Sequence, residues 1–158
     1  MNPPRPMTLR PALATEAGAM AEMSRQLIEA GLGWRYTPQR IAALIRHAET
    51  IALVALDTAG LQGFAVMQFG DVQAHLVLLC VQPTLRRCGI GQRLMDWLLQ
   101  SARVAGIESI ALELRADNAA ALAFYRRLGY AETQLVPAYY DGRVPAQRMS
   151  LRLRAAGA

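Results

Sequence analysis

At 158 residues with 53 % apolar side chains, the chain can bury one sizeable core without staples, and its composition excludes disorder as the resting state. Its formal net charge of +5 comes from seventeen basic residues, all arginine, spread along the chain with Arg86-Arg87 and Arg126-Arg127 the only adjacent pairs. A nucleic-acid binder clusters its basic residues and interleaves aromatics, so no nucleic-acid partner is expected, and the excess suits a compact anionic ligand instead.

The Pro-rich residues 1–6 read as a flexible tail without the apolar core of a signal peptide, and one domain is expected over residues 7–154. Residues 7–10 are expected as a first strand. Thr15 is placed to cap a helix with Ala19, Met23, Leu27 and Ile28 on its apolar face, ending near Gly31 and Gly33. A loop holding Trp34 and Tyr36 follows, and Pro38 opens a second helix to about His47. Residues 51–56 and 63–69 read as an antiparallel hairpin around the turn Asp57-Thr58-Ala59-Gly60. Residues 75–81 are nearly all apolar, which predicts a central strand covered on both faces. A helix is expected from about Gly89 to Ala105, its stripe set by Ile90, Leu94, Trp97, Leu98 and Ala102 and its end by Gly106. Residues 107–115 predict a strand and 118–128 a helix closed by Gly129. Residues 130–136 and 146–153 complete the set, separated by a loop with Tyr139-Tyr140-Asp141-Gly142. The order β-α-α-β-β-β-α-β-α-β-β implies an α/β domain with a mixed sheet, antiparallel early and parallel in the middle.

Cys80 and Cys88 form no Cys-x-x-Cys, and His47 and His75 lack ligand spacing, so neither a disulfide framework nor a metal site is expected. No run reaches membrane-spanning length, and the cytoplasm is the expected address.

The sharpest local signal is Arg86-Arg87-Cys88-Gly89-Ile90-Gly91, set between a buried strand and a helix start. A helix N-terminus exposes unpaired N–H groups and a partial positive charge. Glycines let a polyanion approach the backbone, and arginines add charge-assisted bonds to phosphate oxygens. A diphosphate suits this segment; a tight strand–helix turn with solvated arginines is the plain alternative. No Gly-Lys-Ser/Thr follows, and a Gly-x-Gly-x-x-Gly pattern would end on Leu94, so nucleoside triphosphate and nicotinamide readings lose ground.

Val81-x-Pro83-x-x-Arg86-Arg87-x-Gly89-Ile90-Gly91 resembles the coenzyme A signature of the GNAT acetyltransferase superfamily. The stretch Leu112-Glu113-Leu114-Arg115-Ala116-Asp117-Asn118, followed by Ala121, Phe124-Tyr125 and Leu128-Gly129-Tyr130, is similar to that superfamily's second block. The second block, with Tyr139-Tyr140 before the last strand, resembles the ribosomal-protein-alanine N-acetyltransferase branch most closely. One departure concerns the acceptor: Val144-Pro145 stand where that branch often carries acidic residues.

The resemblance implies a GNAT fold and an acetyl-CoA-dependent transfer of acetyl to a primary amine by direct attack. It further implies that Leu79, Cys80 and Val81 pair with the pantetheine arm through their backbone, and that Asn118 hydrogen-bonds it. Arg86, Arg87, Cys88, Gly89, Ile90, Gly91 and Gln92 would hold the pyrophosphate. Glu113 and Tyr125 would be catalytic, as general base and as proton donor to the leaving thiolate. Trp34, Tyr36, Tyr139 and Tyr140 would contact the acceptor.

Each role has a plain counterpart. Glu113 interrupts an apolar strand, where burial would raise its pKa toward that of a useful base; an ion pair with Arg115 is the structural alternative. Tyr125 could be core packing beside Phe124, the loop aromatics surface staples or sheet-end caps, and Cys88 a passive small residue rather than a redox-active thiol. A protein α-amine, with a pKa of about 8, is easier to deprotonate than a lysine near about 10.4, so a protein or peptide N-terminus is the leading acceptor. A small-molecule amine (amino acid, polyamine or aminoglycoside) and a non-catalytic acyl-CoA-binding module are the alternatives. A homodimer is compatible with the sequence.

Overall fold

The computed structural model describes residues 6–153. The expected tail lies outside the described residues save for Pro6, as does residue 154 at the expected domain end. Among the described residues, seven strands and four α-helices follow one another as β1 (Thr8–Pro11), α1 (Ala17–Leu27), α2 (Pro38–Arg46), β2 (Thr50–Asp57), β3 (Gly60–Phe69), β4 (Gln73–Val81), α3 (Ile90–Val104), β5 (Ser109–Arg115), α4 (Ala119–Arg127), β6 (Ala131–Tyr140) and β7 (Val144–Arg152). The hydrogen-bonded strand order is β1-β2-β3-β4-β5-β7-β6. Pairing is antiparallel for β1 with β2, β2 with β3, β5 with β7 and β6 with β7, and parallel for β4 with β5. The expected mixed α/β architecture and element order are therefore present.

The chain divides into two compact units. The first holds the residues up to Gln68 together with Val77–Ser101. Helix α1 turns Ala17, Met20, Ala21 and Met23 onto Ile41, Ala52, Val54, Phe64, Val66, Leu78 and Cys80 to form its core. Thr37 caps α2, accepting the Arg40 N–H at 3.3 Å, with Pro38 in the first turn, as its fixed φ favours. Thr15 is no cap: a 3-10 turn over Ala14–Glu16 precedes α1, and the Glu16 carboxylate accepts the Leu13 N–H at 2.7 Å while binding Arg10 through both oxygens. The buried stripe of α1 consequently runs through Ala17, Met20, Ala21, Met23 and Ser24, and Ala19 is exposed. In α3 the expected stripe is buried at Ile90, Leu94, Leu98 and Ala102, but Met95 is buried with it and Trp97 is exposed.

The expectation that residues 75–81 are covered on both faces is corrected. It is β2 and β3 that run buried without interruption, over residues 52–55 and 63–67. Strand β4 alternates, with Ala74, Leu76, Leu78 and Cys80 buried and His75, Val77, Leu79 and Val81 half-exposed. An apolar run shows that a strand tolerates cover, not that cover is present.

The second unit holds Phe69–Leu76 and the residues from Ala102 onward. Ile110, Leu112 and Leu114 of β5 are buried with Met149, Ala146, Tyr125 and Tyr130, and the alternate residues of β5 are half-exposed. Helix α4 ends in a Schellman motif: the Tyr130 N–H donates to Tyr125 O at 3.0 Å and the Gly129 N–H to Arg126 O at 3.0 Å. Gly129 takes φ +97°, the left-handed geometry that motif needs. The same clasp sets Tyr125 edge-on to Tyr130 at 5.7 Å between ring centroids. Strand β6 also runs further than expected: Tyr139 and Tyr140 belong to its end, past a register shift, and the hairpin closes with the Arg143 N–H on Tyr140 O at 2.9 Å.

Candidate functional site

In the first unit, a 3-10 turn over Pro83–Leu85 leaves β4 and delivers Arg86, Arg87, Cys88 and Gly89 to the start of α3. Arg87 and Gly89 both take positive φ, +65° and +82°. For arginine that conformation costs about 1–2 kcal/mol, so the turn holds a strained residue in the segment singled out by sequence. The first helical bond of α3 is Arg93 N–H to Gly89 O at 3.0 Å. The N–H groups of Ile90, Gly91 and Gln92 precede it and by helix geometry have no intrahelical acceptor. Their dipole end is positive, Arg86, Arg87 and Gln92 in the same segment are exposed, and a Cβ placed on Gly89 would meet nothing within 4 Å. The arrangement is an open cradle for an anion.

Upstream of this loop, the Gln82 N–H bonds back to Gln62 O at 2.8 Å. Strand alternation turns the backbone of Cys80 the same way and that of Leu79 and Val81 the other way. The β4–β5 ladder runs from Gln73↔Ser109 to Leu76↔Leu112, and β4 continues five residues beyond it.

The two cysteines differ sharply. Burial pushes the Cys80 thiol up to about 12, which removes it as a nucleophile. Cys88 is exposed, its sulfur 3.8 Å from Arg86 O. A disulfide exchange reagent is expected to modify one thiol per native chain, Cys88, and both thiols after denaturation; two fast thiols in the native protein would contradict this burial.

In the same unit the loop after α1 is pinned from below. Glu29 is buried, and its Oε1 accepts the N–H groups of Arg35 at 2.7 Å and Tyr36 at 3.2 Å, while Oε2 accepts Ser24 Oγ at 2.9 Å. Trp34 is 38 % exposed, with the Arg25 guanidinium 5.1 Å from its ring. Arg40 stands 4.5 Å over Tyr36. Glu29 is not legible in sequence as a loop anchor, because its bonds go to main-chain groups six and seven residues on.

In the second unit Glu113 sits on the half-exposed face of β5. Its Oε2 lies 2.5 Å from His75 Nε2, and its Oε1 accepts from Arg148 Nε at 3.2 Å. The expected rise of its pKa is corrected: the hydrogen bond from His75, assisted by Arg148, holds the carboxyl below the usual carboxylate range and outweighs desolvation. The ion-pair alternative is also realised with different partners, since Arg115 Nε lies 3.6 Å from Asp117 Oδ1. Sequence spacing does not reveal His75 and Arg148, which lie 38 and 35 residues away and arrive by strand register.

Tyr125 is buried on α4, and burial first, then Tyr130 and Tyr140, raise its phenol well above the usual range. It stays protonated at any working pH and is a hydrogen-bond donor. Asn118 caps α4 by accepting the Ala121 N–H at 3.1 Å, leaving its side-chain nitrogen as a donor. Tyr139 and Tyr140 meet edge-on at 4.9 Å, and the Arg148 guanidinium lies 6.0 Å from the Tyr139 ring. Thus Glu113, Tyr125, Asn118, Tyr139 and Tyr140 belong to the second unit, while Leu79 to Gln92, Trp34 and Tyr36 belong to the first.

No helix among the described residues is long and apolar enough to cross a membrane. A family model described as the acetyltransferase (GNAT) family matches residues 20–130. The [ribosomal protein bS18]-alanine N-acetyltransferase of Escherichia coli (strain K12) is 37 % identical over 91 residues, 56 % of this chain and 62 % of that protein. The match therefore spans less than two thirds of that relative's length. The crystal structure of the ribosomal-protein-S18-alanine N-acetyltransferase from Escherichia coli has a TM-score of 0.81 at 27 % identity, covering 96 % of each chain. That of Arabidopsis thaliana NAA60 in complex with acetyl-CoA has a TM-score of 0.83 at 14 % identity, covering 95 % of this chain and 100 % of that one, a likeness of fold.

Proposed function

The chain belongs to the acetyltransferase (GNAT) family, and from that premise we propose that it is an acetyl-CoA-dependent N-acetyltransferase acting on a protein or peptide N-terminal α-amine. The observation that carries the reading is the start of α3, where the amides of Ile90, Gly91 and Gln92 follow the positive-φ residues Arg87 and Gly89. This cradle suits the diphosphate of the acyl donor, with Arg86, Arg87, Cys88 and Gly89 on its rim. Leu79 and Val81 offer outward-turned backbone groups for the pantetheine arm, beside Cys80, and Asn118 offers its side-chain nitrogen. The family match runs through both compact units, which supports treating residues 7–154 as one catalytic domain. A cytoplasmic setting goes with acetyl-CoA as substrate.

The amine nitrogen attacks the thioester carbon; an N–C bond forms as the C–S bond breaks. Glu113, ionised through its two partners, takes the proton that the amine loses. The sulfur leaves as a thiolate, and Tyr125 donates a hydrogen bond to it. Full transfer from this phenol is uphill, because a thiol titrates near about 8.5, so the proton that completes the thiol comes from solvent. A backbone N–H of Leu79 or Val81 serves the developing oxyanion, the kind of fixed donor that supplies large electrostatic stabilisation. Tyr139, Tyr140, Trp34 and Tyr36 are the acceptor-contacting residues of this reading. Its α-amine preference rests on the bS18-alanine relative and on the lower pKa of α-amines.

Thiol release from acetyl-CoA tests the reading against N-terminal peptides, amino acids, polyamines and aminoglycosides. Peptide turnover is expected to dominate, and Tyr125→Phe, which removes one fixed hydrogen-bond donor to developing charge, to lower kcat by about 100-fold with acetyl-CoA affinity kept. Dominant turnover of a small amine would move the acceptor to that class. Saturable coenzyme A binding without turnover on any amine would make the chain a binding module.

A further inference from the structure

Arg148 interrupts the sequence Val144-Pro145-Ala146-Gln147-Arg148-Met149 on β7, and neither the motifs nor the family reading uses it. Register brings it opposite Glu113 on one side and Gln134 on the other. One guanidinium makes three contacts there. Nε donates to Glu113 Oε1 at 3.2 Å, one terminal nitrogen donates to Gln134 Oε1 at 2.9 Å, and the Cζ atom lies 6.0 Å from the Tyr139 ring centroid. A planar fork with fixed donor directions can hold three neighbours in one geometry, which a lysine cannot.

We propose that Arg148 is a positioning residue that couples the acceptor-contacting end of β6 to the base, clamping Glu113 while supporting Gln134 and Tyr139. The proposal rests on the reading of Glu113 as general base. Each carboxylate oxygen has two acceptor sites. Arg148 occupies one on Oε1 and His75 faces Oε2, so the carboxylate is fixed in rotation yet keeps acceptor capacity for the proton of an amine. Fixing the base in this way lowers the entropic demand of the transition state. A displacement of Tyr139 by an arriving acceptor would be felt at Glu113 through one rigid group.

The groups facing Glu113 are His75 from β4 and Arg148 from β7; on β5 itself, Arg115 meets Asp117. Both partners favour the ionised carboxylate. Loss of Arg148 therefore moves the acid limb of kcat/KM to higher pH, because less positive charge remains to hold the proton off.

The test is kinetics of the full chain with an N-terminal peptide, across pH, for Arg148→Leu, Arg148→Lys and Glu113→Gln. The same series in a His75→Gln background leaves Arg148 as the charged partner of Glu113. Arg148→Leu is expected to shift the acid limb upward, lower kcat about tenfold, raise the acceptor KM and leave acetyl-CoA affinity unchanged by calorimetry. Arg148→Lys is expected to restore the pH limb, which needs only charge, and not the acceptor KM, which needs the fork. A merely structural arginine would move stability alone. Should Arg148→Leu fail to fold, Arg148→Gln carries the same expectations. An unshifted limb and unchanged KM in a folded Arg148 variant, with Glu113→Gln impaired, would overturn the coupling alone. Wild-type kcat in Glu113→Gln would overturn the base and the coupling with it.

Discussion

Gly89→Glu is expected to raise the dissociation constant for acetyl-CoA at least about 100-fold, equivalent to about 2.8 kcal/mol, while the protein stays folded. Gly89 sits at φ +82°, and a Cβ added there would have no neighbour within 4 Å, so a side chain finds room and bears only the left-handed backbone cost of about 1–2 kcal/mol. The effect on binding comes from charge. The new carboxylate stands before the unpaired amides of α3 and competes for them. It also repels the diphosphate by roughly 3 kcal/mol per charge pair at about 5 Å and an effective dielectric constant of about 20. Gly89→Ala carries the backbone cost without the charge, and is expected to lower stability with little change in affinity. Isothermal calorimetry on both variants measures the difference, and equal affinity in wild type and Gly89→Glu would remove the cradle as the donor site.

Glu113→Gln is expected to lower kcat about 100- to 1,000-fold, within the range for a positioned proton acceptor, with acetyl-CoA affinity unchanged. The substitution keeps shape and removes the charge, so the loss reports proton transfer. Its pH dependence separates two groups. The free α-amine fraction rises toward a pKa of about 8, and that slope is expected in wild type and variant alike. On the reading of Glu113 as base, the acid limb is expected to vanish in the variant. The same carboxyl sets a stability effect of known sign: its folded-state pKa is depressed, so its contribution is present above the unfolded value of about 4.3 and is lost as pH falls through the folded value. Because the pair is partly solvated, that contribution is small. Acid denaturation of the variant is therefore expected to differ only slightly from wild type, and a large difference would assign Glu113 to the fold.

The places where expectation and structure part share one physical origin. Burial of a strand face depends on what packs over it, and β4 looks as apolar as β3 while one of its faces remains half-open. An apolar strand argues for a raised Glu113 pKa, yet electrostatics at a few ångströms outweigh average burial once His75 and Arg148 arrive by register. The expected phase of α3 holds along Ile90, Leu94, Leu98 and Ala102 and fails at Trp97, because a stripe wider than one row leaves its edge residues to the tertiary context.

The amino-acid order alone determined the succession of elements, the helix ends at Gly106 and Gly129, and the glycine-bearing turn from Arg86 to Gly91 that opens α3. These are local matters: backbone conformation, helix end groups and periodicity involve residues only a few positions apart. Which cation meets Glu113, which strand faces stay open, and how Glu29 pins the loop at Arg35 and Tyr36 were decided by the folded chain. Those contacts follow from strand register and from main-chain groups presented in space, and no short-range rule encodes either.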